Sequence, residues 1–144
     1  MSGHPTKCWM VVALVVAGAA CTPVISPFSA RAYEQAVDLK VDALRTIERA
    51  EEPFNRHRSR TEALQVRLTK AAEYARGRPR NEVSARQWDI MIDPDGHMIG
   101  GFLKRWEKED SLSWAFIREA AFQIEAGFDA IIGLESGKTG NEKR

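Results

Sequence analysis

Apolar residues recur at spacings of three and four along most of this chain, the signature of helices with one buried side. From Ser29 to about residue 51, Tyr33, Ala36, Val37, Val41, Leu44 and Ile47 form one stripe, opposite Glu34, Asp38, Lys40, Asp42, Arg45 and Glu48. Ser26 or Ser29 suits the N-terminal cap, and Pro53 should stop or bend the helix because it lacks an amide donor. A second pattern from Phe54 to Arg76 carries His57, Thr61, Leu64, Leu68, Ala71, Ala72 and Ala75, with Gly77 and Pro79 as stop signals. One long helix bent at Pro53 satisfies the same pattern.

A shorter helix restarts at Asn81 or Ser84, where Ser84 and Gln87 fit a reciprocal capping box, and carries Val83, Trp88, Met91 and Ile92. Asp93, Pro94, Asp95 and Gly96 then suit a turn. His97 to Trp106 reads as a loop or brief helix, with Gly100 and Gly101 permitting a sharp change of direction or close backbone approach. From 113 to 132 a wide stripe of Phe116, Ile117, Ala120, Ala121, Ile124, Phe128, Ile131 and Ile132 predicts the last helix. Gly127 within it suggests a close helix crossing, and Gly133 a stop. Residues 135–144 hold almost nothing apolar and are expected to fray. No alternating strand pattern of useful length appears. The expected architecture is all-α, an irregular bundle of three long helices plus a short one.

The first twenty-odd residues follow a different grammar. Lys7 precedes an uncharged, mostly apolar run, and Ala17, Gly18, Ala19 and Ala20 close it before Cys21. Basic, then apolar, then small is the order of a secretory signal. The run from Cys8 to Ala20 would reach roughly 20 Å as a helix, short of the ~30 Å hydrocarbon core. A retained spanning anchor is therefore the weaker reading. Ordinary signal cleavage is open as well, since Ala17, Gly18 and Ala19 also read as a small-x-small site, which would leave Cys21 as a lone exported thiol.

Gly18, Ala19, Ala20 and Cys21 resemble the processing site of bacterial lipoproteins, although Gly18 stands where that family usually has an aliphatic residue. The resemblance covers only about the first twenty-three residues. It implies that the Cys21 thiol is acylated, that residues 1–20 are removed as a signal peptide, and that no cysteine in the mature chain stays free. On this reading, residues 21–28 are a lipidated tether, broken from helix by Pro23 and Pro27, residues 29–134 the helical domain, and residues 135–144 a flexible polar tail. Thr22 after the cysteine is similar to family members sent to the outer membrane. The implied location is the cell envelope, lipid-anchored, with the outer membrane favoured over the inner one in a Gram-negative cell.

Charge is nearly balanced overall, at +1, but not locally. Between residues 55 and 86 nine bases face three acids. In the cytosol such a segment would suggest nucleic acid. Export argues against that partner and makes lipid phosphates, or another envelope protein, the expected partners. Arg76, Arg78, Arg80 and Arg86 are the candidate anion contact, against the simpler reading of a solvated face with ion pairs to the acidic first helix.

Other chemistry finds little support. The string Gly133, Ser136, Gly137, Lys138 and Thr139 echoes a phosphate-binding loop, but has three residues between its glycines where four are needed, and follows a helix where the motif follows a strand. Asp93, Asp95 and His97 cluster, yet Lys104 stands where a calcium loop would need its closing Glu, and no cysteine after Cys21 is available for zinc. His57 and His97 lack a nucleophile motif beside them. Trp88, Trp106 and Trp114 are expected to wedge the short helix against the last, an exposed aromatic hot spot being the alternative. The sequence thus points to a non-enzymatic envelope lipoprotein with a helical interaction or structural domain, and expects no catalytic residues, metal or cofactor. The alternatives are an envelope enzyme or small-ligand binder with a site between Asp93 and Trp106, and a basic adaptor that keeps its N-terminus in the cytosol.

Overall fold

The computed structural model describes residues 25–138, all helix, turn and loop. The signal and lipidation readings at 1–24, and the tail beyond Lys138, lie outside the described residues. Five α-helices follow one another: α1 Ala30–Ile47, α2 Arg58–Gly77, α3 Glu82–Ile92, α4 Ile99–Glu109 and α5 Trp114–Gly137. A 3-10 turn, Phe54–Arg56, precedes α2. The all-α expectation holds, with two short helices where one was expected.

Helices α1, α2, α3 and α5 form a ring in which each packs against two neighbours, α1 and α3 sitting between α2 and α5. The N-terminal ends of α1 and α3 meet the C-terminal ends of α2 and α5 at one end of the ring, so neighbours run antiparallel and their end charges alternate. α4 packs against α3 and the 3-10 turn at the far end. The core runs through the ring: Leu39, Ala43 and Ile47 of α1, Leu64 and Leu68 of α2, Trp88 and Met91 of α3, and Ile124, Phe128 and Ile131 of α5.

The buried face of α1 is rotated from its expected position. Leu39 and Ala43 are fully buried, whereas Tyr33 and Val41 are exposed. A helix wedged between two neighbours buries the sector facing both, and small Ala36 and Ala43 let them approach. On α2 the expected stripe is correct from Thr61 to Ala75, with His57 half-buried before the first turn.

Caps and breaks follow local chemistry in part. The Ser29 hydroxyl accepts from the Ala32 amide at 3.2 Å and starts α1. Of the two expected starts of α3, Asn81 holds and Ser84 does not: the helix begins after Asn81, and Ser84 is buried within its first turn. Nor does Gly133 end the last helix; α5 continues to Gly137.

At the far end, residues 50–54 and 110–112 hold each other. Leu112 N–H donates to the Ala50 carbonyl at 2.8 Å and Phe54 N–H to the Asp110 carbonyl at 2.7 Å. Asp110 takes a left-handed conformation, φ 65°, which ends α4 and turns its carbonyl toward Phe54. Trp106, fully buried, packs edge-on against Phe54 and donates its ring N–H to the Glu52 carbonyl at 3.0 Å. Trp88 packs edge-on against Phe128, so it does join α3 to α5. Trp114 does not join them; it is 56% exposed.

The glycines of α4 permit a close approach, as their spacing suggested. A Cβ on Gly101 would lie 1.9 Å from the Gly96 carbonyl oxygen, and one on Gly100 2.3 Å from that of Ile92. At Gly127 a Cβ would meet the flexible Met91 sulfur at 2.7 Å, the expected crossing of α5 with α3. Gly133 faces open space inside α5. Gly101→Ala should therefore destabilise the protein by about 3 kcal/mol through overpacking against backbone, whereas Gly133→Ala should stabilise it by about 1 kcal/mol through helix propensity. Urea unfolding of the two variants reads both signs.

Candidate functional site

The densest polar chemistry lies at the end of the ring where the first described residues enter. Glu135 continues the apolar face of α5 through Ile124, Phe128 and Ile131, and its side chain is only 4% exposed. One carboxylate oxygen accepts from the Ser29 amide at 2.7 Å and from Arg78 at 3.0 Å. The other accepts from Arg78 at 2.9 Å and from Lys138 at 2.6 Å.

Lys138 lies one turn further along and is equally buried. Its Nζ donates to Asn81 Oδ1 at 2.7 Å, to Ser84 Oγ at 3.1 Å and to Glu135, which uses all three of its hydrogens. Asn81 Oδ1 also accepts from the Ser26 hydroxyl at 2.8 Å, while its amide nitrogen caps the Ala75 carbonyl at 2.8 Å. Arg78 donates to the Pro27 carbonyl as well.

This polar knot ties the entering segment to three helix ends. Ser26 N–H donates to the Arg80 carbonyl at 2.9 Å, a contact made available by the left-handed backbone of Arg80, φ 57°. The Ser29 hydroxyl lies 3.1 Å from that of Tyr74, and Arg31 and Arg78 both sit against the Tyr74 ring. Among the described residues no buried side-chain polar atom lacks a partner. The cavity beside the knot holds about 10 Å³, room for one water and no ligand.

Two cations against one carboxylate would be costly in an apolar interior. Here the excess charge is spread over neutral oxygens of Asn81, Ser84 and Pro27. Burial pushes the Glu135 carboxyl up, but the hydrogen bonds from Lys138, Arg78 and the Ser29 amide outweigh it and hold the group below its ordinary value of 4.5.

Residues 135–138 are thus helix and knot, which corrects the expectation of a frayed tail from residue 135. The phosphate-loop string fails structurally too, because Gly133 to Gly137 is helical and Lys138 points inward. A frame running 124, 128, 131, 135, 138 is visible in the sequence and could have flagged Glu135 and Lys138 as inward-facing. Nothing in the sequence marks Asn81 or Ser26 as their partners.

The four candidate arginines divide. Arg76 is engaged by Glu73 and by Asp89, with Nε 3.0 Å from the latter, and Arg78 is committed to Glu135. Arg80 and Arg86 are exposed. Elsewhere in the basic segment Arg67 pairs with Asp42 of α1 and Arg58 with Glu107 at 2.8 Å.

Residues between Asp93 and Trp106 do not converge on one site. Asp93 closes its own turn by accepting from Asp95 N–H at 2.9 Å, Asp95 pairs with Lys104 at 2.6 Å, and Trp106 is core. His97 lines a groove of about 410 Å³ between α4 and α5, with Phe102, Arg105, Phe116, Glu119 and Gln123. Its polar groups are largely occupied by one another and by the helix: Arg105 bonds Glu109 and covers Phe116, and Gln123 bonds Glu119. His57 bonds Glu52 at 3.0 Å, and no hydroxyl among the described residues completes a triad with it. That bond holds the Glu52 carboxyl below its ordinary range. Among the described residues, no group of three or more His, Cys, Asp or Glu could hold a metal ion, and no helix is long and apolar enough to cross a membrane.

No family model, curated protein or solved structure matches the chain.

The knot makes two predictions. Glu135→Gln should cost about 3 kcal/mol by leaving Arg78 and Lys138 buried without their carboxylate. Adding Lys138→Met should cost less than the two single losses combined, because the partners are shared. The second concerns acid. A depressed carboxyl stabilises the fold above its unfolded pKa, and that contribution disappears as pH falls from about 4.5 through the folded value. Unfolding followed between neutral pH and pH 2 should show a steeper acid loss for the wild-type chain than for Glu135→Gln; parallel curves would refute this.

Proposed function

We propose that this chain is a bacterial envelope lipoprotein, held to a membrane by acyl chains on Cys21, whose helical domain acts as a non-enzymatic structural or interaction module. The observation that carries the reading is the ordered succession in the sequence of Lys7, an apolar run, small residues and Cys21, followed by a proline-broken stretch. More than one acyl chain, at about 0.8 kcal/mol per buried methylene, makes such attachment effectively permanent.

The knot supports this reading indirectly. A domain pulled by its N-terminal segment needs that segment fixed to the body, and Ser26, Pro27 and Ser29 are each bound by side chains or backbone of other elements. The anchor and the fold would then be mechanically continuous. The carboxylates near His97 have partners of their own, Asp95 with Lys104 and Glu119 with Gln123. The partners proposed are the membrane itself and another envelope protein, with nucleic acid excluded by the location.

Intact mass of the protein taken from membranes tests the reading. A chain starting at Cys21 and carrying acyl mass is expected, and Cys21→Ser should abolish that modification and move the protein out of the membrane fraction. An uncut, unacylated polypeptide would end the proposal.

A further inference from the structure

The last helix has a side with no neighbour. Ile124, Phe128 and Ile131 of α5 face the core, where α1 and α3 pack. At about 100° per residue, Ala115, Phe122, Ala126 and Gly133 lie on the opposite side, and all four are exposed. Phe122, 72% exposed, and Trp114, 56%, are the two most exposed large apolar side chains among the described residues. They border one shallow recess of about 400 Å³, together with Ala115, Arg118 and Glu119. Two large rings beside each other on a helix surface form the kind of patch that marks a protein interface.

Charge and size are both distributed unevenly along this side. Arg118, near its start, lies over the Trp114 ring at 4.5 Å and has no carboxylate partner among the described residues. About two and a half turns further on, Glu125 and Asp129 share the single amine of Lys40, at 3.0 and 2.7 Å, which leaves negative charge in excess. The bulky Trp114 and Phe122 occupy the first half. The second half offers Ala126, Ala130 and Gly133, the last with open space above it. Each half is thus the complement of the other.

We propose that this side of α5 binds the same side of a second copy of the chain, antiparallel, about a twofold axis beside Phe122. A twofold contact requires a surface that complements itself. Antiparallel alignment sets each Arg118 against Glu125 and Asp129 of the other copy, brings the two Phe122 side chains together at the axis, and lays Trp114 over the small residues of the second half. A parallel pair would oppose Arg118 to Arg118 and carboxylate to carboxylate, which costs free energy. The pairing does not rest on the lipid-anchored reading. Where both chains are anchored, their entering segments sit at opposite ends of the pair, which lays α5 along the bilayer.

Cysteine cross-linking of the full chain with a short bis-maleimide tests this, each cross-linked peptide being identified by mass so that Cys8 and Cys21 are read apart. Ala115 and Ala130 are exposed, and antiparallel pairing brings them together across the axis. Ala115→Cys with Ala130→Cys in one chain should give a dimer joined between positions 115 and 130. Within one chain the two positions are about 22 Å apart along the helix, beyond the linker's reach. Either substitution alone should give no dimer, since like positions of the two copies are separated just as far. Phe122→Glu, at a position exposed enough to leave the fold intact, should lower the yield at least about tenfold by bringing two carboxylates together. Arg118→Glu should lower it about fivefold through the lost ion pairs. Dimers from either single substitution, no product joining 115 to 130, or a yield indifferent to both charge substitutions overturns the proposal; absence of the product leaves the exposed rings to a different protein.

Discussion

A single buried carboxylate holds together the end of this bundle on which its proposed role depends. Glu135 accepts four hydrogen bonds, from the N-terminal end of α1, the C-terminal end of α2 and its own helix. Lys138 extends the same set to the start of α3 through Asn81 and Ser84. Every helix of the ring is thereby tied at one end by polar contacts, while apolar packing joins them along their length. Apolar packing alone is tolerant of small shifts between helices. A charged group satisfied from several directions is not, since displacement of one partner leaves the others buried without theirs.

This division of labour fits a domain loaded from its N-terminal segment. Residues 25–29 have no helical structure of their own and little apolar burial, so hydrophobic packing cannot fix them. They are fixed by hydrogen bonds: Ser26 to Asn81 and to the Arg80 carbonyl, Pro27 to Arg78, Ser29 to Glu135. Force or thermal motion entering along this segment reaches α2, α3 and α5 at once. The two exposed ion-pair bridges from Lys40 to Glu125 and Asp129 lie further along α1 and are solvent-screened, so they add little to that rigidity.

How far the sequence could be read depended on whether local chemistry or tertiary contacts decided each feature. Ser29, Pro53 and the alanine-rich stripe of α2 act locally, and all were legible. The buried side of α1 was not, because Tyr33 and Val41 offer apolar surface as Leu39 does and only the positions of α2 and α5 decide between them. The Ser84 box met a competing demand: α3 starts after Asn81, so Ser84 lies inside the helix, where its hydroxyl accepts from Lys138, more than fifty residues away. Gly133 failed as a stop for a related reason. The helix gains the Glu135 and Lys138 contacts by continuing, which outweighs a glycine's propensity penalty of about 1 kcal/mol. The knot was hidden because its members are polar residues from four separate segments, and pattern reading treats a polar residue as outward-facing.

The same logic explains why the basic segment looked more like an anion site in sequence than it does in the fold. Arginines counted along a chain are all equivalent. In the bundle Arg58, Arg67, Arg76 and Arg78 are each matched to a carboxylate from another element, Arg58 and Arg67 as ties to α4 and α1. Arg56, Arg60, Lys70, Arg80 and Arg86 stay exposed, spread from the 3-10 turn along α2 to α3. Geometry has therefore turned part of a local charge excess into ties between helices and left the rest dispersed.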